Sequence, residues 1–297
     1  MKFKKIAKVL LSCVMAGALF TGCGGGDTPA KTDGDKPAAG SSAPIKLGMI
    51  TPLNTDETTL GELIDKGAEK LGDKDIKHLP KFYDNLNTMQ LAVEAGEIEQ
   101  ISTFQSVANY LIASNDKYEL VENKNLEKIN SVFCFAVRKE DTQLKADLDK
   151  VIGEMKSDGS LDKLTKEYVN DVKADNIPKV EIPTIDGAET IKVGVMGDLP
   201  PLDLILPDNS PAGFNTALLA EIAKRLNKNI EIVQIDGGAR AAALSSKVID
   251  VVFWVIVPLG NDDIPLEHLF LDIDKPEGVE LSEPYFKDNV AHLKLKK

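Results

Sequence analysis

The sequence contains few cysteine, histidine and aromatic residues, and this limits the kinds of catalysis and metal binding that the protein can support. Of its 297 residues only three are Cys, three are His and one is Trp, and aromatic residues make up 5%. His78, His268 and His292 do not have the spacing of metal ligands, and the chain has no GxSxG, HExxH, CxxC or P-loop motif. We therefore expect no catalytic residues, no cofactor and no metal site.

Positive charge is also scarce. The chain has 35 basic and 47 acidic residues, for a formal net charge of −12, and only Arg138, Arg225 and Arg240 are arginines. A protein without a basic stripe has no surface that attracts phosphate groups, so nucleic acid is not an expected partner. Beyond this, the acid surplus indicates only a well-solvated surface.

The N-terminus has the pattern of a secretory signal. Residues 2–8 contain four Lys, an apolar stretch continues to Phe20, and Thr21-Gly22-Cys23 has the form of a lipoprotein cleavage box. The apolar stretch is too short for a comfortable membrane span. We expect cleavage of residues 1–22 and lipidation of Cys23, whose several acyl chains would anchor the protein stably. The alternative is an uncleaved anchor with a chance Gly-Cys.

A polar linker follows the predicted cleavage site. Residues 23–44 are rich in Gly, Pro, Ala and Asp and have no hydrophobic period, so they cannot bury enough surface to fold. As a flexible tether of about 20 residues they would span about 25 Å on average. The expected location is extracytoplasmic, with the lipid in the cell membrane or outer membrane. Losing the signal also moves the formal charge to −16.

Cys134 is left as a lone cysteine once Cys13 has been removed and Cys23 lipidated. No intramolecular disulfide is then possible. Cys134 lies in the apolar run SVFCFAV, where a thiol is either a small buried hydrophobic group or a reactive nucleophile. The apolar neighbours favour the first interpretation.

Strand and helix patterns alternate through the rest of the chain, which predicts α/β architecture with parallel pairing and right-handed crossovers. We assign residues 45–172 to a first α/β lobe, which includes helices at Thr59–Leu71, Gln143–Lys156 and Leu161–Val172. Residues 173–189 are rich in Pro, Asp and Gly and form a linker. Residues 190–297 repeat the alternation and form a second lobe.

Two long strings resemble a known family. PAGFNTALLAEIAKRLNKNIEIV and FAVRKEDTQLKADLDKVIGEMKSDGSLDKLTKEYV are similar to segments of the bacterial extracellular solute-binding proteins of family 3, receptors of amino-acid ABC transporters. In that family the segment similar to Thr190 onward comes first and the segment similar to Phe135 to Val169 comes last. The order here is inverted, so we interpret the chain as a circularly permuted relative.

The resemblance implies a two-lobed periplasmic-binding-protein fold of type II in permuted order. Two strands cross between the lobes, and INSVFCFAVRK and FKDNVAHLKLK are the candidates. It also implies a monomer that closes on a small-molecule ligand and docks on an ABC transporter permease.

The family's amino-acid clamp is not present in this chain. Members usually place small hydroxyl residues and an Arg after the strand that resembles VIDVVFWV, whereas this chain has Trp254, Val255 and Val257 and then PLGNDDIP without Arg. They also place an acidic residue where this chain has Phe104 and Gln105. Either the ligand is not an ordinary α-amino acid, or other groups bind it.

Six further residues are candidates for ligand binding in this setting. Arg240 is the first residue of a predicted helix. Its side chain either binds a ligand anion together with that helix N-terminus, or it folds back to Asp236 or out to solvent. Trp254 is either a stacking wall or part of the core. The remaining candidates each have a turn or capping role as the alternative: Asp198, Asp203, Asn54 and Thr55.

Three functions fit these observations. The first is a tethered solute receptor that captures a small polar molecule, either amino-acid-like or an organic anion, for an ABC transporter. The second is a surface lipoprotein that kept the fold for sensing or for contact with a partner protein. The third is a dehydratase-like enzyme on the same fold, which a cleft carboxylate such as Asp198 with a raised pKa would support.

Overall fold

The computed structural model describes residues 43–73, 75–174, 176–260 and 266–297. The predicted signal peptide, Cys23 and the tether up to residue 42 lie outside the described residues. Among the helices in these ranges, none is both long and apolar enough to cross a membrane.

The first lobe is built on parallel strands, as the alternating pattern predicts. Its strand β1 lies between β2 and β3 and pairs with both in parallel. Its last strand is short, with three residues. The elements are β1 (Ile45–Ile50), α1 (Glu57–Lys70), β2 (His78–Tyr83), α2 (Leu86–Glu94), β3 (Gln100–Phe104), α3 (Gln105–Ser114) and β4 (Tyr118–Leu120).

The second lobe begins with a long strand and two helices. These are β5 (Asn130–Arg138), α4 (Thr142–Ser157) and α5 (Ser160–Thr165), the last continued by a π-helical turn, Lys166–Asn170. The sequence predicted one regular helix from Leu161 to Val172.

The remaining elements of this lobe repeat the strand–helix alternation, with a small three-stranded sheet formed by β7, β8 and β9. They are β6 (Thr190–Val195), β7 (Asp198–Leu199), β8 (Asp203–Ile205), β9 (Pro211–Ala212), α6 (Gly213–Leu226), β10 (Asn229–Gln234), α7 (Arg240–Ser245), β11 (Val251–Gly260), α8 (Glu267–Phe270), β12 (Val279–Leu281) and β13 (Phe286–Leu295).

The main sheet runs through both lobes in the order β10-β6-β11-β5-β13-β3-β1-β2. Strand β13 pairs with β5 over Phe286–Asn289 and with β3 over Val290–Leu293, so it passes from one lobe into the other. Strand β5 pairs on its other side with β11. The predicted two-lobed α/β fold with two crossing strands is confirmed, and the crossings are the two predicted segments.

Helix α6 is the centre of the second lobe. Ten of its 14 residues are buried, because β-strands cover one side and α4 and α5 cover the other. Arg225 near its end binds the Asp158 carboxylate at 2.8 Å and the Ser160 hydroxyl at 3.0 Å. The helices α4 and α5 therefore pack within the second lobe, whereas from the sequence we assigned them, with residues 45–172, to the first lobe.

Cys134 lies on β5 and is 3% exposed. Burial raises the pKa of its thiol to about 12, so the thiolate does not form at neutral pH. This agrees with the interpretation of Cys134 as a small buried hydrophobic group.

Candidate functional site

A cavity of about 160 Å³ lies between the two lobes. Strand β1 and helix α1 of the first lobe line it together with β11 and the segment from Leu266 to Asp274, and Leu60 of α1 packs in one cluster with Leu266, Phe270 and Ile273. The crossing strands β5 and β13 contribute to the lining through Ser131 and His292. Most of the lining is apolar and includes Met49, Leu60, Ile64, Ile256, Phe270 and Ile273.

Two buried polar groups on the cavity side of the sheet have no hydrogen-bond partner among the described residues. They are the hydroxyl of Ser131 and the indole N–H of Trp254, and the two residues are 0% and 4% exposed. The Thr103 hydroxyl is also unpaired, but Thr103 precedes Phe104 on β3, so its side chain points to the other face of the sheet. Buried polar groups are normally paired, so an unpaired set around one cavity points to something that binds there.

Trp254 forms part of the wall beside two phenylalanines. Its ring centroid lies 6.1 Å from that of Phe104 and 6.3 Å from that of Phe133. The Arg240 guanidinium carbon lies 4.6 Å from the Trp254 ring centroid, a cation–π distance. One face of the indole is therefore covered by the protein, and the Trp254 N–H remains unpaired.

Arg240 ties the two lobes together. It is 2% exposed, and its Nε, Nη1 and Nη2 atoms donate to the carbonyl oxygens of Gly237, Trp254 and Thr51 at 3.1, 2.9 and 2.8 Å. Thr51 follows β1 of the first lobe, whereas the other two carbonyls belong to the second. Burial lowers the pKa of Arg240, and the nearby Asp274 charge opposes that shift. A guanidinium has five N–H groups, so these three hydrogen bonds do not use all of its donors. A ligand contact by Arg240 therefore stays a prediction.

Asp198 occupies the N-terminus of a helix in the opposite lobe. Its Oδ2 accepts hydrogen bonds from the backbone N–H groups of Leu86 at 2.6 Å and Asn87 at 3.2 Å, the first two residues of α2. A helix N-terminus favours an anion at this position. Burial nevertheless raises the pKa of the Asp198 carboxyl.

Three other aspartates, Asp84, Asp274 and Asp288, accept hydrogen bonds from backbone N–H groups along the same interface between the lobes. Asp84 of the first lobe accepts from the N–H of Gly238 at 3.0 Å through Oδ1, and its carbonyl accepts from Gly237 at 2.8 Å. A Cβ atom on Gly237 would lie 3.0 Å from that carbonyl oxygen, so glycine allows this close approach.

Asp274 joins the lobes in the same way. Its Oδ1 accepts from the N–H of Leu53 at 2.8 Å, and its Oδ2 accepts from the N–H of Ile256 at 3.1 Å. Asp288, on a crossing strand, accepts from the N–H of Ser106 in the first turn of α3 at 3.0 Å. The protein's own carboxylates thus fill positions that could otherwise bind an anion.

The other predicted residues lie outside the cavity lining. The Asp203 carboxylate, 2% exposed, accepts from the N–H groups of Met196 and Gly197 at 2.9 and 3.1 Å. Burial raises the pKa of Asp203 to about 6. Gln105 donates to the side-chain oxygen of Asn109 at 2.8 Å.

Asn54 and Thr55 are not the N-cap of the first helix. Asp56 is the cap and accepts from the N–H of Thr59, so α1 begins at Glu57. The Asn54 amide instead donates to the carbonyl oxygens of Asp272 and Lys275 in the second lobe, and the buried Thr55 hydroxyl has no partner within the described ranges. The N-capping interpretation of these two residues is wrong.

The structure brings together three of the eight predicted ligand-binding residues at the cavity, namely Phe104, Arg240 and Trp254. The sequence did not identify Ser131. Its available signal was a hydroxyl residue inside the otherwise apolar strand SVF, which is weak because such residues also occur in ordinary sheets.

Metal binding has no support in the described ranges, where no group of three His, Cys, Asp or Glu side chains converges. His292, in the cavity lining, is buried, and burial lowers the pKa of its imidazole to about 3. This ring is therefore uncharged at neutral pH.

The sequence of residues 191–257 matches the family model of bacterial extracellular solute-binding proteins, family 3. This confirms the predicted resemblance over the segment from β6 to β11. That family consists of binding proteins, not enzymes. No curated protein sequence matches the chain.

Several solved structures of ligand-binding proteins are similar at low identity. The ligand-binding component of an ABC-type import system from Staphylococcus aureus is 12% identical with a TM-score of 0.42, over 85% of this chain and 66% of that one, just under two thirds. An ancestral arginine-binding protein is 12% identical with a TM-score of 0.36, over 85% and 84%. The GluR0 ligand-binding core of Nostoc punctiforme is 10% identical with a TM-score of 0.34, over 86% of each chain. All three TM-scores are below 0.5, so the ligands of these proteins say nothing about the solute of this chain.

Proposed function

We propose that this protein is a receptor that captures a small solute between its lobes and delivers it to an ABC transporter. The cavity at the lobe interface is the observation that carries the proposal. Its walls come from both lobes, so a solute inside it contacts both and favours the closed form. The match of residues 191–257 to a family of solute-binding proteins supports the same function.

The proposed receptor works outside the cytoplasm and is held at the membrane by lipid. This part of the proposal rests on the signal-like N-terminus, on Cys23 and on the polar tether. A tether of about 20 residues would leave the lobes free to turn toward a permease in the same membrane.

A thermal-shift screen tests the receptor function. A ligand that binds only the folded form stabilises it by about 2.7 kcal/mol at a concentration of 100 Kd. We expect at least one compound in a library of neutral, zwitterionic and anionic solutes to raise the melting temperature in a concentration-dependent way. If no solute at millimolar concentration does so, the protein is not a receptor of this kind, and the partner-binding lipoprotein becomes the better hypothesis.

We also infer that the chain is a circular permutation of the family's order. The element order β6-α6-β10-α7-β11 and then β13 lies at the end of the chain, whereas β1 to α5 precede it. Connecting β13 to β1 and opening the chain before β6 would give the order that the family resemblance implies.

A further inference from the structure

We infer that the solute is an uncharged, largely apolar molecule about the size of one six-membered ring, with a hydroxyl or carbonyl group that binds Ser131 and Trp254. This inference rests on the proposed function and names the class of solute for the same cavity. It departs from the expectation of an amino-acid-like or anionic ligand.

The first argument is the size and lining of the cavity. Its volume is about 160 Å³. In other proteins an apolar cavity of roughly 150 Å³ holds one benzene molecule. The walls here are mainly leucine, isoleucine, methionine and phenylalanine side chains from both lobes, which favour apolar surface on the solute.

The second argument is that Arg240 and the two aspartates of the described lining already have partners within the protein. The Arg240 guanidinium donates to three carbonyl oxygens and covers the Trp254 ring, and the Asp274 carboxylate accepts from two backbone N–H groups. The Asp73 carboxylate accepts from the side-chain amides of Asn123 and Asn125. Arg240 and Asp274 also carry opposite charges in the same lining. An ion brought into this cavity would lose its hydration and gain little in return, which is far more costly than burying a neutral polar group.

The third argument is that the protein itself fills the anion positions at the lobe interface. The α2 N-terminus binds Asp198, the α3 N-terminus binds Asp288, and the N–H of Gly238 binds Asp84. A solute carboxylate would have to displace a covalently attached carboxylate that is already in place. The unpaired groups on the cavity side are instead one hydroxyl and one indole N–H, both of which suit a neutral oxygen on the solute.

Calorimetric titration with benzyl alcohol and benzoate tests the charge of the solute, because the two probes share a ring and differ in charge. We expect benzyl alcohol to bind at least about tenfold more tightly than benzoate at pH 7, because the one guanidinium in the lining is already bound to three carbonyl oxygens. Equal or tighter binding of benzoate would overturn the inference.

A Ser131→Ala variant tests the polar contact of the hydroxyl. Loss of one hydrogen bond should weaken benzyl alcohol binding by roughly 2- to 10-fold. The melting temperature without probe should not fall, because the hydroxyl that is removed has no partner. Thr216→Val is the matched control, since Thr216 is 2% exposed but its hydroxyl bonds the Ala212 carbonyl inside the second lobe. It should bind the probe as the unmodified protein does.

The failure of this inference can be distinguished from failure of the receptor function. If benzyl alcohol does not bind but an anionic or zwitterionic solute raises the melting temperature, the inference is overturned and the receptor function stands. If no solute of any charge binds, both are overturned. If the Ser131→Ala variant binds benzyl alcohol with unchanged affinity, the proposed polar contact is wrong.

Discussion

At the residue scale, Asp203 is a buried carboxyl whose burial makes stability depend on pH. Its pKa is about 6 in the folded protein, against 3.8 for the ordinary side chain, because burial disfavours the charged form. Well below pH 3.8 the group is protonated in both states and costs nothing. As the pH rises from 3.8 to about 6, the unfolded state loses this proton while the folded state keeps it, so stability falls. Above about pH 6 the folded state buries the charge and the loss is complete.

Replacement of Asp203 with Asn should remove that dependence. A shift of about two pKa units corresponds to on the order of 3 kcal/mol. The free energy of unfolding of Asp203→Asn, relative to the unmodified protein, should therefore rise by up to about that amount between pH 4 and pH 7. Urea denaturation across this range measures the difference, and parallel curves for the two proteins would contradict the prediction.

The sequence indicated Arg240 and Trp254 as site residues but not how they are connected. The structure places the guanidinium over the indole ring, both in the cavity lining. The third partner of Arg240, the Thr51 carbonyl, lies 189 positions away in the chain, and a backbone carbonyl carries no sequence signal. Local patterns therefore identified two members of the cluster and missed the contact that joins the lobes.

At the element scale, Asp198 and helix α2 form a contact that keeps the lobes closed. The carboxylate comes from β7 of the second lobe, and the two N–H groups that it binds begin α2 of the first. Without this acceptor the N–H groups can be satisfied only by water, which requires the lobes to separate.

Asp198→Ala should therefore open the protein, and Trp254 can report the opening because it is the single Trp and lies between the lobes. We expect a red shift of tryptophan emission and a larger radius of gyration in solution scattering. Asp208→Ala is the control, because Asp208 is an exposed aspartate of the same lobe that binds Ser210 and Lys179. An Asp198→Ala protein with unchanged emission would show that other contacts suffice for closure.

Most elements could be predicted from hydrophobic period, but their ends could not. Asn54, Thr55 and Asp56 are three adjacent residues that can all cap a helix. Asp56 is the cap because the Asn54 side chain is bound to two carbonyl oxygens of the other lobe. The choice among them depends on tertiary contacts, as does the π-helical turn that ends α5.

At the scale of the whole molecule, the sheet explains why a different chain order is feasible. Strands β13 and β1 both flank β3, with Leu293 opposite Ile101 and Leu47 opposite Gln100. The end of β13 and the start of β1 therefore lie at the same edge of the sheet, about 9.5 Å apart at two strand spacings. A linker of roughly three or four residues covers this distance.

Joining Lys297 to Ile45 by such a linker and opening the chain before Thr190 should give a folded protein. We expect the same circular dichroism spectrum and one cooperative thermal transition, because each pairing of the main sheet is kept. A control with the same linker, opened between Phe133 and Cys134, breaks a crossing strand and should not fold. Two independent transitions in the first variant would show that the halves are separate domains.

The path of β13 has a further consequence for the order in which the chain acquires structure during synthesis. Residues 45–120 leave the ribosome before the second lobe. However, β4 pairs in the sheet with β13, and β3 pairs with β13 on the side opposite to β1. These edges stay unpaired until residues 286–295 have been made, by which time the whole second lobe has emerged. The lobe that is translated first is completed last, so its open strand edges need protection from aggregation for most of translation.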